Sequence, residues 1–464
     1  MKTKFILVLL LSVAMLVSAS PLPITSATEP TIIGRTSLAF DVVPTLCKPA
    51  CPGGAGVAGE VPYNLDMIDV EKVCQTGEDI YVAVLDTGLL YDYMDYLPEE
   101  NIMWEWGKGY SYTDCYWNET DEGFWLDGFY DTRGPITMEP YGSGHGTHVA
   151  STIVGFNYVS SATGEEFWVR GVAPNVKIIP VLVLDTWVAY YPPGGFYTLV
   201  TGGTDEMVAS GIEYIADLAE EQDIKIIISM SLGGPSPTAM IEDAIDYAID
   251  KGCIVVVAAG NSRYEGMDWP GAYPQVISAA AGGWTMEWIG DGVATRWWLS
   301  DVPEKFWTED DLGNKFQLYL TNFSSRPNPD LGQSTWDLDV CTPGAWIVGP
   351  YRPYGGNFGY YYVGGTSMAT PHVSGIAALV LDKYPNLVQR QMEMILKLAG
   401  FANRMTKRLE ERSATIVDPH TGELVTVTWG PFDYGTGFLQ ADSAMFSAFL
   451  FTRFMRRAPG CYWK

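Results

Sequence analysis

The sequence predicts an α/β fold with a mainly parallel central sheet flanked by helices, and three observations predict it. Five short runs, DIYVAVLDTG, VKIIPVLVL, IKIIISMSLGG, CIVVVAAGN and PQVISAAA, are almost continuously apolar and mostly rich in Val and Ile. That is the pattern of strands covered on both faces. Helical patterns lie between them. TDEMVASGIEYIADLAEEQ opens on Thr-Asp with acids in its first turn, and AMIEDAIDYAIDKG closes on Lys-Gly. Strand alternating with helix calls for crossover connections, hence parallel pairing. With 464 residues, 47% of them hydrophobic, the chain can bury a large core, and its 49 Gly and 29 Pro supply many turns.

Before this pattern begins, residues 1–19 carry Lys2 and Lys4, an apolar run from Phe5 to Val17, and small residues at Val17 and Ala19. The run is short for a bilayer span and fits a signal peptide, so the protein is expected to be secreted to the cell exterior. Residues 20–60 are rich in Pro, Gly, Ser and Thr and read as a short leader or linker. The main domain is expected over 61–448, followed by a tail over 449–464. Two segments, about 90–141 and 282–321, interrupt the strand–helix rhythm and are dense in Trp, Tyr, Asp and Glu. They either shape a cleft at the carboxyl ends of the strands or pack over the core.

Composition narrows the partners. Losing Lys2 and Lys4 and no acid takes the net charge from −27 to −29. So acidic a protein argues against nucleic acid or anionic lipid as a partner. No stretch after the first is long and apolar enough to cross a membrane. Of seven cysteines, Cys253 and Cys341 lie in apolar strand-like runs and are expected as buried thiols. Cys47 and Cys51 could close a small loop; Cys74, Cys115 and Cys461 have no assignable partner.

A nucleophilic serine needs a base, an acid that orients the base, and donors where an oxyanion forms. Only four histidines are present, at 145, 148, 372 and 420. Asp86 ends the strand-like YVAVLDTG. His145, between Gly144 and Gly146, opens a helix in GSGHGTHVAS. Ser367 follows Gly364-Gly365 at the start of a helix in VGGTSMATPHVSG, with Pro371 expected in that helix's first turn. A zinc site at His145 and His148 lacks a third ligand at helical spacing.

Together HGTHVA, GTSMATPH, SLGGP and VVVAAGN resemble the signature strings of the subtilisin-like serine proteases, in that family's order Asp, His, Ser. The resemblance runs from about 61 to 445. It implies a three-layer subtilisin-like fold and a serine endopeptidase with Asp86, His145 and Ser367 as its triad and Asn261 as oxyanion donor. It also implies that Ser231, Leu232 and Gly233 bind an extended substrate as an added strand, with Ala258, Ala259 and Gly260 lining the first specificity pocket. Asp268, just before Trp269-Pro270-Gly271, falls near the floor of that pocket. There it would face an incoming Arg or Lys, unless it turns outward or is neutralised by Arg263.

No cofactor is implied for the chemistry. Structural calcium is compatible with the acidic composition, but the relatives' Asn-rich loop is missing and no ligands can be named. The 20–60 stretch is short for a folding-assistant segment, so the domain is expected to fold without one. The expected partners are protein or peptide substrates, and the expected state is a monomer. Two rivals stay open: a binding protein that kept the fold without catalysis, and a processing or ligating enzyme devoted to one partner.

Overall fold

All five apolar runs form strands in the computed structural model, which describes residues 59–160, 164–285, 287, 297–299, 302, 318–407, 413–418 and 423–455. They are β1 (Tyr81–Asp86), β4 (Lys177–Leu182), β7 (Ile226–Met230), β8 (Ile254–Ala258) and β9 (Ile277–Trp284). Their neighbours pair in parallel, in the order β9-β8-β7-β1-β4. The short β11 (Val340–Pro343) adds in parallel beside β9, and β10 (Leu318–Leu320) adds antiparallel at that edge.

Each strand buries both faces. On β1, Val82 and Val84 enter one apolar cluster, while Ala83 and Leu85 enter the other. This alternation is the two-residue period of a strand with helices on either side. Helices α1 (His145–Val154) and α4 (Thr366–Lys383) cover the first face, with Val149, Ile153, Val373 and Ile376 inward. Helices α2 (Asp205–Gln222) and α3 (Ala239–Asp250) cover the second, with Ile212, Ile215, Ile245 and Ala248 inward. The result is three layers. Thr204 and Thr238 cap α2 and α3, their hydroxyls accepting from the N–H of Met207 (3.2 Å) and Ile241 (3.4 Å). Two more helices, α5 (Gln389–Lys407) and α6 (Ala441–Met455), follow α4, and α6 runs across the boundary expected at 448/449.

The 90–141 segment is largely a long antiparallel hairpin, β2 (Lys108–Asn118) with β3 (Gly123–Arg133). Its base extends the sheet, Lys108 and Gly109 pairing in parallel with Val181 and Leu182. A second hairpin, β5 (Asp185–Tyr191) with β6 (Phe196–Gly202), leans on it. Ser111 Oγ donates to Asp185 (2.7 Å), and Trp187 Nε1 donates to the Tyr112 carbonyl (2.9 Å). The segment therefore builds a wall at the sheet edge, and its last residues return beside Asp86 (Leu89 N donates to Pro135 O, 2.7 Å). Most of the 282–321 segment, residues 1–58 and residues 456–464 lie outside the described residues, and with them Cys47, Cys51 and Cys461.

Cys253 and Cys341 are buried free thiols, as expected; Cys115 is also free, and Cys74 is disulfide-bonded. One buried carboxyl has no counterpart in the sequence reading. Glu287 is enclosed and accepts from the hydroxyls of Tyr63 (3.3 Å) and Tyr319 and from Trp284 N–H (3.4 Å). Burial raises its pKa from 4.5 to about 8. The fold thus favours the protonated form. Its contribution is complete below about pH 4.5 and is lost as pH rises through about 8. Glu287→Gln should flatten the fall of Tm across that window, a contribution on the order of 5 kcal/mol. Thermal melts at several pH values check this; an unchanged slope in the variant would contradict the assignment.

Candidate active site

The site is assembled at the carboxyl ends of β1, β7 and β8. Asp86 is the last residue of β1 and is fully buried. His145 is the first residue of α1, and its Nδ1 lies 2.7 and 2.9 Å from the two carboxylate oxygens of Asp86. Thr87 N–H also donates to Asp86 Oδ1 (2.7 Å), and Ser143 Oγ accepts from His145 N–H (3.1 Å). The carboxylate therefore orients the imidazole, with Nδ1 the protonated nitrogen in the neutral ring. Nε2 is buried and has no hydrogen-bond partner among the described residues.

Two glycines make this approach possible. A Cβ on Gly146 would stand 2.3 Å from the Gly88 carbonyl oxygen, and one on Gly88 would stand 2.4 Å from that of Pro135. Gly88 also has φ +76°. The other histidines described here serve structure. His148 Nε2 faces the Ile347 carbonyl (3.0 Å), and His372 lies between the Met368 carbonyl (2.7 Å) and Asn64 Nδ2 (2.8 Å). Burial lowers their pKa values, to about 3 and about 4, so both stay neutral.

Ser367 is the second residue of α4 and is 8% exposed, open enough for a small group to reach. Its Oγ donates to the Ser231 carbonyl (3.2 Å). Because Leu85 pairs with Met230, Ser231 leaves β7 beside Asp86, and Ser367 thus stands over the neighbouring strand end. Pro371 corrects one expectation, since α4 begins at Thr366 and Pro371 falls in its second turn. A proline there has no N–H for the carbonyl four residues earlier, which is that of Ser367. Ser231 Oγ supplies the missing donor at 2.7 Å.

Asn261 follows β8, and its Oδ1 accepts from Thr366 N–H (2.9 Å) and Thr366 Oγ1 (3.1 Å). Both bonds hold the carbonyl side of the amide, turning the Nδ2 side toward Gly365, where a Cβ would lie 3.6 Å away. Thr366 Oγ1 also accepts from Gly260 N–H (3.1 Å). Sequence reasoning missed Thr366, although it adjoins Ser367. Segment 231–234 continues β7 and pairs at Gly234 with Trp269, with N–H to O distances of 2.7 and 2.8 Å. Leu232, Ala258 and Ala259 are buried.

Asp268 does not turn outward: it is 5% exposed and lies between the two glycine segments. A Cβ on Gly260 would stand 2.4 Å from its Oδ2, and one on Gly233 would stand 2.8 Å from its Cβ. Arg263 directs its guanidinium to Asn322.

The profile of the Subtilase family matches residues 77–414. The chain belongs to the subtilase family. It is a serine-type endopeptidase. Subtilisin DY of Bacillus licheniformis is 29% identical over 342 residues, covering 72% of this chain and 89% of its own length. The alkaline protease of Alkalihalobacillus alcalophilus is 30% identical, covering 74% of this subtilase and 65% of the relative. Among solved structures, Sphericase aligns with a TM-score of 0.50 at 24% identity, over 83% of this chain and 99% of its own. That likeness bears out the three-layer fold. Subtilases need no cofactor for catalysis. Among the described residues, no group of three or more His, Cys, Asp and Glu is placed to hold a metal ion.

An amide held as Asn261 is held can donate to an oxygen that gains negative charge near Ser367. Thr366→Val removes one of the two bonds on Oδ1 and should lower kcat by about tenfold with KM little changed, because the donor acts mainly on the transition state. Steady-state kinetics on a peptide substrate check this. A change confined to KM would mean that Thr366 only shapes the binding surface.

Proposed function

We propose that this subtilase is exported and cleaves protein or peptide substrates through an acyl-enzyme, with Asp86, His145 and Ser367 as triad and Asn261 as oxyanion donor. The observation that carries the reading is the buried Asp86–His145 pair at 2.7 Å, on the strand end next to the one that holds Ser367. Ser367 Oγ turns from the Ser231 carbonyl to His145 Nε2, loses its proton there and attacks the peptide carbonyl. Asp86 keeps Nδ1 protonated and stabilises the imidazolium. Asn261 Nδ2 and the Ser367 N–H donate to the oxyanion. His145 returns the proton to the leaving amine, and water then releases the acyl group by the same route. Export is supported by the apolar start of the chain. Among the described residues no helix is long and apolar enough to cross a membrane.

The substrate strand lies along 231–233, and its side chain before the cut enters the slot between Gly233 and Gly260. Asp268 closes that slot. A guanidinium or ammonium there meets a carboxylate in a low-dielectric setting, whereas an aromatic ring would strip it of water without a hydrogen bond in return. The reading is therefore a preference for Arg or Lys before the scissile bond.

Ser367→Ala should lower turnover by several orders of magnitude, on the order of 10⁴ or more, with the fold retained by circular dichroism. A purified variant keeping a tenth of the activity would remove Ser367 from the role. For specificity, kcat/KM should favour a peptide with Arg over its Phe counterpart by roughly tenfold or more, and Asp268→Asn should abolish the difference. Equal cleavage after Phe in the parent enzyme, or an unchanged ratio in the variant, would refute the pocket reading and leave the triad untouched.

A further inference from the structure

Helix α6 (Ala441–Met455) carries an apolar stripe on its outward face. Its inward positions, Ala441, Ala444 and Ala448, are fully buried and small. Met445 and Phe451 pack against the core, but four large residues face out: Phe446 is 62% exposed, Phe449 43%, Leu450 48% and Phe454 80%. The spacing i, i+3, i+4, i+8 puts these four on one stripe, opposite the alanines. A helix that only covered a core would not leave three phenylalanines and a leucine on its outward face.

The charge of this end of the sequence is also reversed. The chain as a whole carries −27, yet from Ser443 to Lys464 the sequence has no acid and four bases, Arg453, Arg456, Arg457 and Lys464. Arg453 is exposed on the helix, and its guanidinium lies 5.7 Å from the centre of the Phe449 ring, within the aromatic stripe. Exposed aromatics with arginine among them suit the boundary between lipid headgroups and acyl chains.

We propose that α6 docks the enzyme on an anionic lipid surface, lying in the plane of the interface. Phe446, Phe449, Leu450 and Phe454 enter the acyl boundary, and Arg453 meets the headgroup phosphates. The complement is electrostatic as well as apolar, because the acidic remainder of the protein is repelled from the same surface and turns the basic end toward it. A second copy of the chain fits less well, since from Ser443 onward it offers no acid to meet Arg453. The helix is too short to span, so attachment is peripheral and weakened by salt.

The test is sedimentation of the purified protein with vesicles of pure phosphatidylcholine and of phosphatidylcholine mixed with phosphatidylglycerol, at low and high salt. Partition should favour the anionic vesicles and fall with salt. Phe454→Ser should weaken it several-fold, and Phe446→Ser/Phe449→Ser/Phe454→Ser by about tenfold or more, with peptidase activity retained. Arg453→Glu should weaken binding to the anionic vesicles but not to neutral ones. Absence of vesicle binding, or equal binding by the Phe454→Ser variant, would overturn the proposal. So would a concentration-dependent dimer that Phe454→Ser disperses, which would give the face to a second copy. The single variant changes a side chain that is 80% exposed, so the test does not depend on the triple variant folding.

Discussion

The site depends on one close approach of backbone to backbone. The first turn of α1 sits so near the turn after β1 that a single Cβ on Gly146 would overlap the Gly88 carbonyl. That distance sets the reach from His145 to Asp86. The strand end fixes the carboxylate, the helix start fixes the imidazole, and the two glycines allow both to be rigid at once. Ser143 and Thr87 then tie the two turns together, Thr87 Oγ1 donating to the Ser143 carbonyl (3.1 Å) and accepting from Gly146 N–H (3.0 Å). Almost no freedom remains at the pair, so orientation is settled before a substrate arrives.

Features written in contiguous residues were legible in the sequence. The five buried strands could be read because both of their faces are apolar, and the two capped helices because threonine and acids mark their starts. Asp86, His145, Ser367 and Asn261 each sit in a short string. Features made through space were not legible. Thr366 grips Asn261 from 105 residues away, and Glu287 meets Tyr63 across 224. The 90–141 segment looked like an interruption because the pairing of its hairpin with β4 joins residues about seventy positions apart, which no local pattern reports. Pro371 was misplaced by half a turn or more because the string alone does not say where the helix begins.

Totals mislead where distribution matters. A chain charge of −27 pointed away from anionic surfaces, yet it averages over an acidic body and a basic, aromatic end at α6. The same holds for Asp268: as one acid among 55 it is unremarked, but its place between Gly233 and Gly260 is what the proposed specificity rests on.

The exchange between Ser231 and Ser367 has a consequence of its own. Each residue gives its hydroxyl to the other's carbonyl, at 2.7 and 3.2 Å, and the first of these bonds uses an acceptor that Pro371 leaves open in α4. Segment 231–233 and the start of α4 are thus one mechanical part. On the proposed mechanism, a substrate strand that pressed on the segment would move the Ser367 hydroxyl with it, so register along the peptide and aim of the nucleophile would stay matched. Changes at 231, 367 and 371 consequently cannot be ranked one by one, because each alters what the other two are doing.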